Sequence, residues 1–142
     1  MFLISHRGNI NGRQEHHENN PQYITEALNK GFNVEIDVWH VNDQWSLGHD
    51  YPQYLIDISF LHDSRLWCHA KNLQAMSNLV ENRIHCFWHE NDKTTLTTKN
   101  FLWTYPGEQL FHNSICVMPE TFDFKNNVEI SGICSDFIER YR

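Results

Sequence analysis

Short apolar runs separated by turn residues dominate this chain and leave room for few helices. Residues 2–6, 33–39, 66–71, 85–89, 101–105, 114–118 and 132–135 each have the length and the β-branched or aromatic content of a strand. Only two stretches show convincing helical spacing. Residues 21–30 carry Tyr23, Ala27 and Leu28 on one side and run into Gly31, a residue suited to a helix C-cap. Residues 72–81 place Leu73, Met76, Leu79 and Val80 on an apolar side. Strand and helix alternate in the first part of the chain, which points to parallel pairing. The later connections, 91–100 and 106–113, are too short for full crossover helices. The expected fold is a reduced α/β barrel with several helices shortened or replaced by loops. No repeat, low-complexity segment or linker divides the 142 residues, so residues 1–142 read as a single domain.

Charge narrows the choice of partner. The formal charge is −7, and eleven Lys and Arg residues spread along the chain form no basic stripe, which argues against nucleic acid. A small anionic ligand in a locally positive pocket suits this composition better. No apolar run approaches the roughly eighteen residues of a membrane span, and the opening Met1-Phe2-Leu3-Ile4-Ser5 is too short for a signal peptide. A soluble cytoplasmic protein is expected. Cys68, Cys86, Cys116 and Cys134 lack the close pairing of a structural zinc site and read as buried free thiols in a reducing compartment. Of the ten histidines, most, including His16, His17 and His62, read as surface or packing residues.

The chemistry is concentrated near the start of the chain. Residues two apart on a strand share a face, so Glu35 and Asp37 project together while Val34, Ile36 and Val38 face the other way. Residues 41–47 read as a hairpin turn that brings Gly48-His49-Asp50 back toward the acidic pair. The same parity presents His69 and Lys71 on one face of their strand. Cleaving a phosphodiester takes a cation to neutralise phosphoryl oxygens, a base for the nucleophile and an acid for the leaving oxygen. Glu35 and Asp37 offer hard oxygen ligands suited to magnesium or calcium. His6 and His49 suit the two proton transfers, and Arg7 and Lys71 suit the phosphate charge. Singly, each feature has a plain structural explanation: a Glu-x-Asp pair is often a solvated strand face, and a lone histidine is more often a packing residue. Their ordered co-occurrence carries the catalytic reading.

The order His6-Arg7-Gly8, Glu18-Asn19, Ala27 with Gly31, Glu35-Ile36-Asp37-Val38 and His49-Asp50 resembles the glycerophosphodiester phosphodiesterase family, within the phosphatidylinositol-phospholipase-like phosphodiesterases. Gly132-Ile133-Cys134-Ser135-Asp136 is similar to the family's closing strand. The resemblance implies a TIM-type (β/α) barrel, here shortened, with the site at the C-terminal ends of the strands. It implies His6 and His49 as acid and base, Glu35 and Asp37 as metal ligands, and Arg7 as a phosphate contact. Glu18 is a lesser candidate for metal or substrate support. Where the family has an acidic-x-Lys pattern this chain has His69-Ala70-Lys71, so lysine is kept and an imidazole replaces the carboxylate. That exchange makes His69 a candidate ligand and moves preference toward manganese or zinc, with Glu90 as a further candidate ligand. Residues 87–92, 103–107 and 118–120 are expected to form the rest of the rim, with aromatic side chains suited to a sugar or polyol.

The expected function is metal-dependent hydrolysis of a small glycerophosphodiester-like or sugar or polyol phosphodiester. The alternative is a non-catalytic module that binds a phosphorylated polyol or sugar with the same residues. A homodimer is the expected way for a short barrel to cover exposed strands.

Overall fold

Strand β2 (Asn33–Val41) organises the fold because it pairs on both edges. β1 (Phe2–His6) and β5 (Leu66–Ala70) flank it in parallel, with His6 opposite Glu35 and His69 opposite Asp37. Beyond the end of β1, β2 continues into an antiparallel hairpin with β3 (Gln44–Leu47), which pairs with β4 (Tyr54–Ile56). β6 (Cys86–Trp88) adds in parallel to β5. On the far side of β1 follow β10 (Gly132–Ser135), β9 (Ser114–Val117) and β8 (Leu102–Thr104), all parallel. β7 (Thr94–Leu96) closes the series as an antiparallel partner of β8. This computed structural model describes residues 1–125 and 127–142.

The TIM-type α/β barrel expected from the sequence is overturned. Among the described residues the molecule is a ten-stranded mixed sheet curled into a half-barrel, with only α1 (Pro21–Asn29) and α2 (Leu73–Glu81), nine residues each, packed against it. A TIM-type barrel requires a helix after every strand. Here β2 returns through the β3 hairpin, and β7 fills the space between β6 and β8. The connections after β8 and β9 hold turns and a short 3₁₀ segment at Pro119–Thr121. The expected strands form, with ends shifted by up to two residues; of the turn expected at 41–47 only Asn42 and Asp43 lie between strands, and β4 and β7 carry no clear apolar period.

Both helices are set by capping asparagines. Asn20 accepts from the Gln22 N–H, with Pro21 opening α1, and Asn72 accepts from the Ala75 N–H. α1 buries Ile24, Ala27 and Leu28. α2 departs from expectation: Ala75 and Leu79 are the buried pair, one turn apart, while Leu73 and Val80 are exposed. Asn72 also clamps the hairpin, donating to the His40 carbonyl at 2.8 Å and accepting from its N–H at 3.2 Å. That clamp fixes the helix rotation, leaving Leu73 at the solvent side of the first turn.

The core has two layers. Val34, Ile36, Val38, Leu66, Cys68 and Cys86 lie with the helices on the convex side. Ile4, Trp67, Phe87, Trp103, Ile115, Val117 and Cys134 fill the concave side. All four cysteines are buried free thiols, as expected. No helix among the described residues is long and apolar enough to cross a membrane.

His85 sits at this core's edge against Trp67, its Nε2 2.9 Å from Thr97 Oγ1. Burial, with Lys99 adding to it, lowers its pKa to about 4. Below about 6.5 the unfolded chain takes up a proton that the folded chain refuses. Stability carried by neutral His85 is therefore present above that value and is lost as pH falls toward 4, by about 3 kcal/mol. The destabilisation of His85→Leu relative to wild type, measured by urea unfolding, is expected to shrink by that amount between pH 7 and pH 4. A gap independent of pH would refute the assignment.

Candidate metal-assisted active site

The concave side opens at the C-terminal ends of the parallel strands into a cavity of about 430 Å³. His6, Arg7, Glu35, His49, His69, Lys71 and Glu90 all line it. Trp88, Trp103, Tyr105 and Val117 add apolar and aromatic surface to its lining.

Glu35 and His69 line this cavity, and together with Asp37, fully buried behind them, they offer ligand atoms that all lie within 4.8 Å of one another. Parity along β2 brings the two carboxylates together, and the register Asp37 to His69 across to β5 brings the imidazole. His69 Nε2 donates to the His89 carbonyl at 3.3 Å, so Nδ1 is the nitrogen turned to the acidic pair, 3.1 Å from Asp37 Oδ1 and 3.9 Å from Glu35 Oε1. A carbonyl that fixes the tautomer of a ligating histidine is the usual outer partner in metal sites. Buried Asp37 Oδ1 and Glu35 Oε2 receive no aligned hydrogen bond, and the short approach of His69 to Asp37 is off the line of a bond. Two buried carboxylate oxygens without an aligned hydrogen bond, beside an imidazole nitrogen, form a donor set that fits a divalent cation.

Neighbouring charges set the ionisation of this pair. Burial raises Glu35, the charge of Asp37 adds to the rise, and His6, Arg7 and His69 only partly offset it. Burial also acts against ionised Asp37, but there the His69 ring, Arg7 and Asn19 prevail and hold its pKa well below the usual range. Arg7 Nε lies 2.9 Å from Asp37 Oδ2 without pointing along a hydrogen bond, so this contact is chiefly Coulombic. Lys71 Nζ is 3.9 Å from Asp37 Oδ1.

Two histidines face the cavity from different supports. His6 Nδ1 donates to Asp136 Oδ1 at 2.8 Å, while its Nε2 lies 3.8 Å from Glu35 Oε2. Burial would lower its pKa, yet Asp136 and Glu35 outweigh burial and leave it raised. His49 lies past β3, its side chain 46% exposed and its Nδ1 2.8 Å from Asp50 Oδ1. Burial, Arg7 and Lys71 lower its pKa against the opposing pull of Asp37 and Asp50. Gly48 makes that loop possible, since a Cβ there would run into the Tyr51 carbonyl and Gln53.

Glu18 stands behind the cavity and outside the ligand cluster. It accepts from Asn9 and Arg13 and lies 3.4 Å from Arg7 Nη1, so it holds the arginine. Glu90 is exposed on the rim, also outside that cluster. Three supporting residues had no role assigned from the sequence, although Asp136 ends the closing-strand run 132–136 and Glu120 lies in the expected rim segment 118–120. Asp136 orients His6; because Ser5 pairs with Ser135 in parallel register, the next residues, His6 and Asp136, fall side by side, a signal open only once that pairing is known. Glu120 accepts from the Asp136 N–H and Ser135 Oγ, both at 2.9 Å. Asn9 donates to Glu18 and Asp136 together and so joins the two halves of the shell.

Comparison of the chain with protein-family models, with curated proteins and with solved structures finds no match in any of the three.

Because the net effect of its surroundings is to disfavour ionised Glu35, relieving that charge is expected to stabilise the fold. In chelator at pH 7, Glu35→Gln is expected to raise Tm by about 2–4 °C, and divalent cations are expected to stabilise it less than wild type. A lower Tm in chelator would show that Glu35 is already balanced.

Proposed function

We propose that this protein is a divalent-metal-dependent phosphodiesterase, sharing with the glycerophosphodiester phosphodiesterases their chemistry on a smaller, sheet-rich frame. The supporting observation is the convergence of Glu35, Asp37 and His69, with two unmatched buried oxygens, beside two histidines and two cationic side chains. A cation held there would neutralise charge on the phosphoryl oxygens; the carboxylates suit magnesium or calcium, and the imidazole adds manganese and zinc.

The remaining work falls to the side chains. Arg7 and Lys71 hold the phosphate, with Glu18 keeping Arg7 in place. One of His6 and His49 takes the proton of the attacking hydroxyl, and the other returns a proton to the departing alkoxide. Asp136 and Asp50 each occupy Nδ1 of one imidazole, which leaves Nε2 of each for proton transfer. Where the substrate carries a neighbouring hydroxyl, that group serves as nucleophile and a cyclic phosphate results. The aromatic lining offers a flat apolar face to a sugar, polyol or glycerol alcohol. Four buried thiols suit a cytoplasmic setting.

The test is hydrolysis of bis(nitrophenyl) phosphate by purified protein in EDTA and with magnesium, calcium, manganese or zinc. Turnover is expected only with metal and is expected to vanish in Glu35→Ala. His6→Ala and His49→Ala are each expected to lower kcat by about 10²–10⁴-fold. Equal rates in EDTA would remove the metal from the reading. Phosphodiester binding without turnover under every metal would favour the binding module instead.

A further inference from the structure

Asn19 has no place among the cavity-lining groups, yet its buried side chain spends both ends of its carboxamide on one residue. Its Oδ1 accepts from the Asp37 N–H at 2.9 Å, and its Nδ2 donates to Asp37 Oδ2 at 2.8 Å. The Arg7 guanidinium crowds the same Oδ2. Of the two carboxylate oxygens, Oδ2 is thus occupied, and Oδ1 is the one beside His69 Nδ1 and left without an aligned donor.

The backbone at Asn19 is as specific as its side chain. Its φ of 63° lies in the left-handed region, which asparagine tolerates better than most residues. That conformation lets its N–H donate to the Arg7 carbonyl at 3.1 Å, while the Arg7 N–H donates to the Glu35 carbonyl at 2.9 Å. One residue therefore ties the end of β1, the backbone beside Glu35 and the side chain of Asp37 into a single frame. Glycine supplies the left-handed turn without the amide, and serine lacks its double reach. Asparagine supplies both.

We propose that Asn19 is a positioning residue for cation binding, which blocks Asp37 Oδ2 and presents Asp37 to the cation through Oδ1 alone. This rests on the cation-binding part of the function proposed above. Removing it frees the carboxylate to rotate, so the ligand must be ordered again at each binding event. Outer partners of this kind typically hold 10–100-fold in metal affinity.

The experiment is calorimetric titration of the full chain with manganese chloride alone, without substrate, alongside thermal melts. Asn19→Gly keeps the left-handed turn and deletes the amide; it is expected to bind manganese 10–100-fold more weakly than wild type. Asn19→Ser is expected to weaken binding in the same direction, and it carries the test should the glycine variant fail to fold. Asn20→Ala, which removes the α1 cap next door, is expected to lower Tm while keeping manganese affinity within about twofold, because loss of a cap acts on the helix. Wild-type affinity in the Asn19 variants, or an equal loss in Asn20→Ala, overturns the positioning role while leaving the cation site standing. A wild-type chain that binds no manganese, magnesium, calcium or zinc overturns the cation site and the role of Asn19 together.

Discussion

Placing two carboxylates side by side inside a sheet is the constraint around which the rest of this molecule is arranged. Glu35, at the cavity lining, is 3% exposed and Asp37 behind it 0%, so both carboxylates lose most of their hydration. Burying an ionised group costs several kcal/mol unless charge and hydrogen bonds offset it. The offset for Asp37 comes from four residues on three segments: Arg7 after β1, Asn19 in the following loop, and His69 and Lys71 at and just past the end of β5. Glu35 receives less, and its raised pKa is the local record of that deficit.

The apolar plug beneath the site is aromatic. Trp67, Phe87 and Trp103 pack ring against ring, with Phe87 and Trp103 centroids 4.6 Å apart, and they fill the concave side with few residues. On the convex side, α1 and α2 cover β2 and β5, while Leu110, Phe122, Phe124 and Tyr141 from loops and the C-terminal turn join the same core. Large rings thus replace the volume that crossover helices would contribute. The consequence for the site is an open rim, where His49 stands half in solvent while His6 is enclosed.

Local pattern made the strands and the inner site legible. The alternation of Val34, Ile36 and Val38 with Glu35 and Asp37 states which face each side chain takes, and period-two parity holds whatever the global architecture becomes. The architecture depended instead on what joins the strands. Short connections were visible at residues 91–100, but their conversion into the antiparallel β7 depends on pairing with β8 that no local period reveals. The outer shell was hidden for a similar reason. Asp136 lies 130 residues from His6, and Asn19 reaches Asp37 through a left-handed turn that no hydrophobic pattern encodes. The exposed Leu73 and Val80 show the limit of periodicity itself, since the Asn72 clamp on β2 decided which side of α2 faces the core.

Those long-range supports explain how so small a frame keeps a polar cluster in order. Asn9 joins Glu18, which holds Arg7, to Asp136, which holds His6, while Asn19 in the same loop holds Asp37. Arg7 and Asp37, and His6 by way of Asp136, are thereby tied to one irregular segment. A network of this kind is worth more than its separate bonds, because a partner lost anywhere leaves another buried group unmatched. His49 stands outside it, supported by its neighbour Asp50 and by the backbone around Gly48. His6 and Arg7 therefore sit inside a bonded network, whereas His49 meets the cavity from an exposed loop.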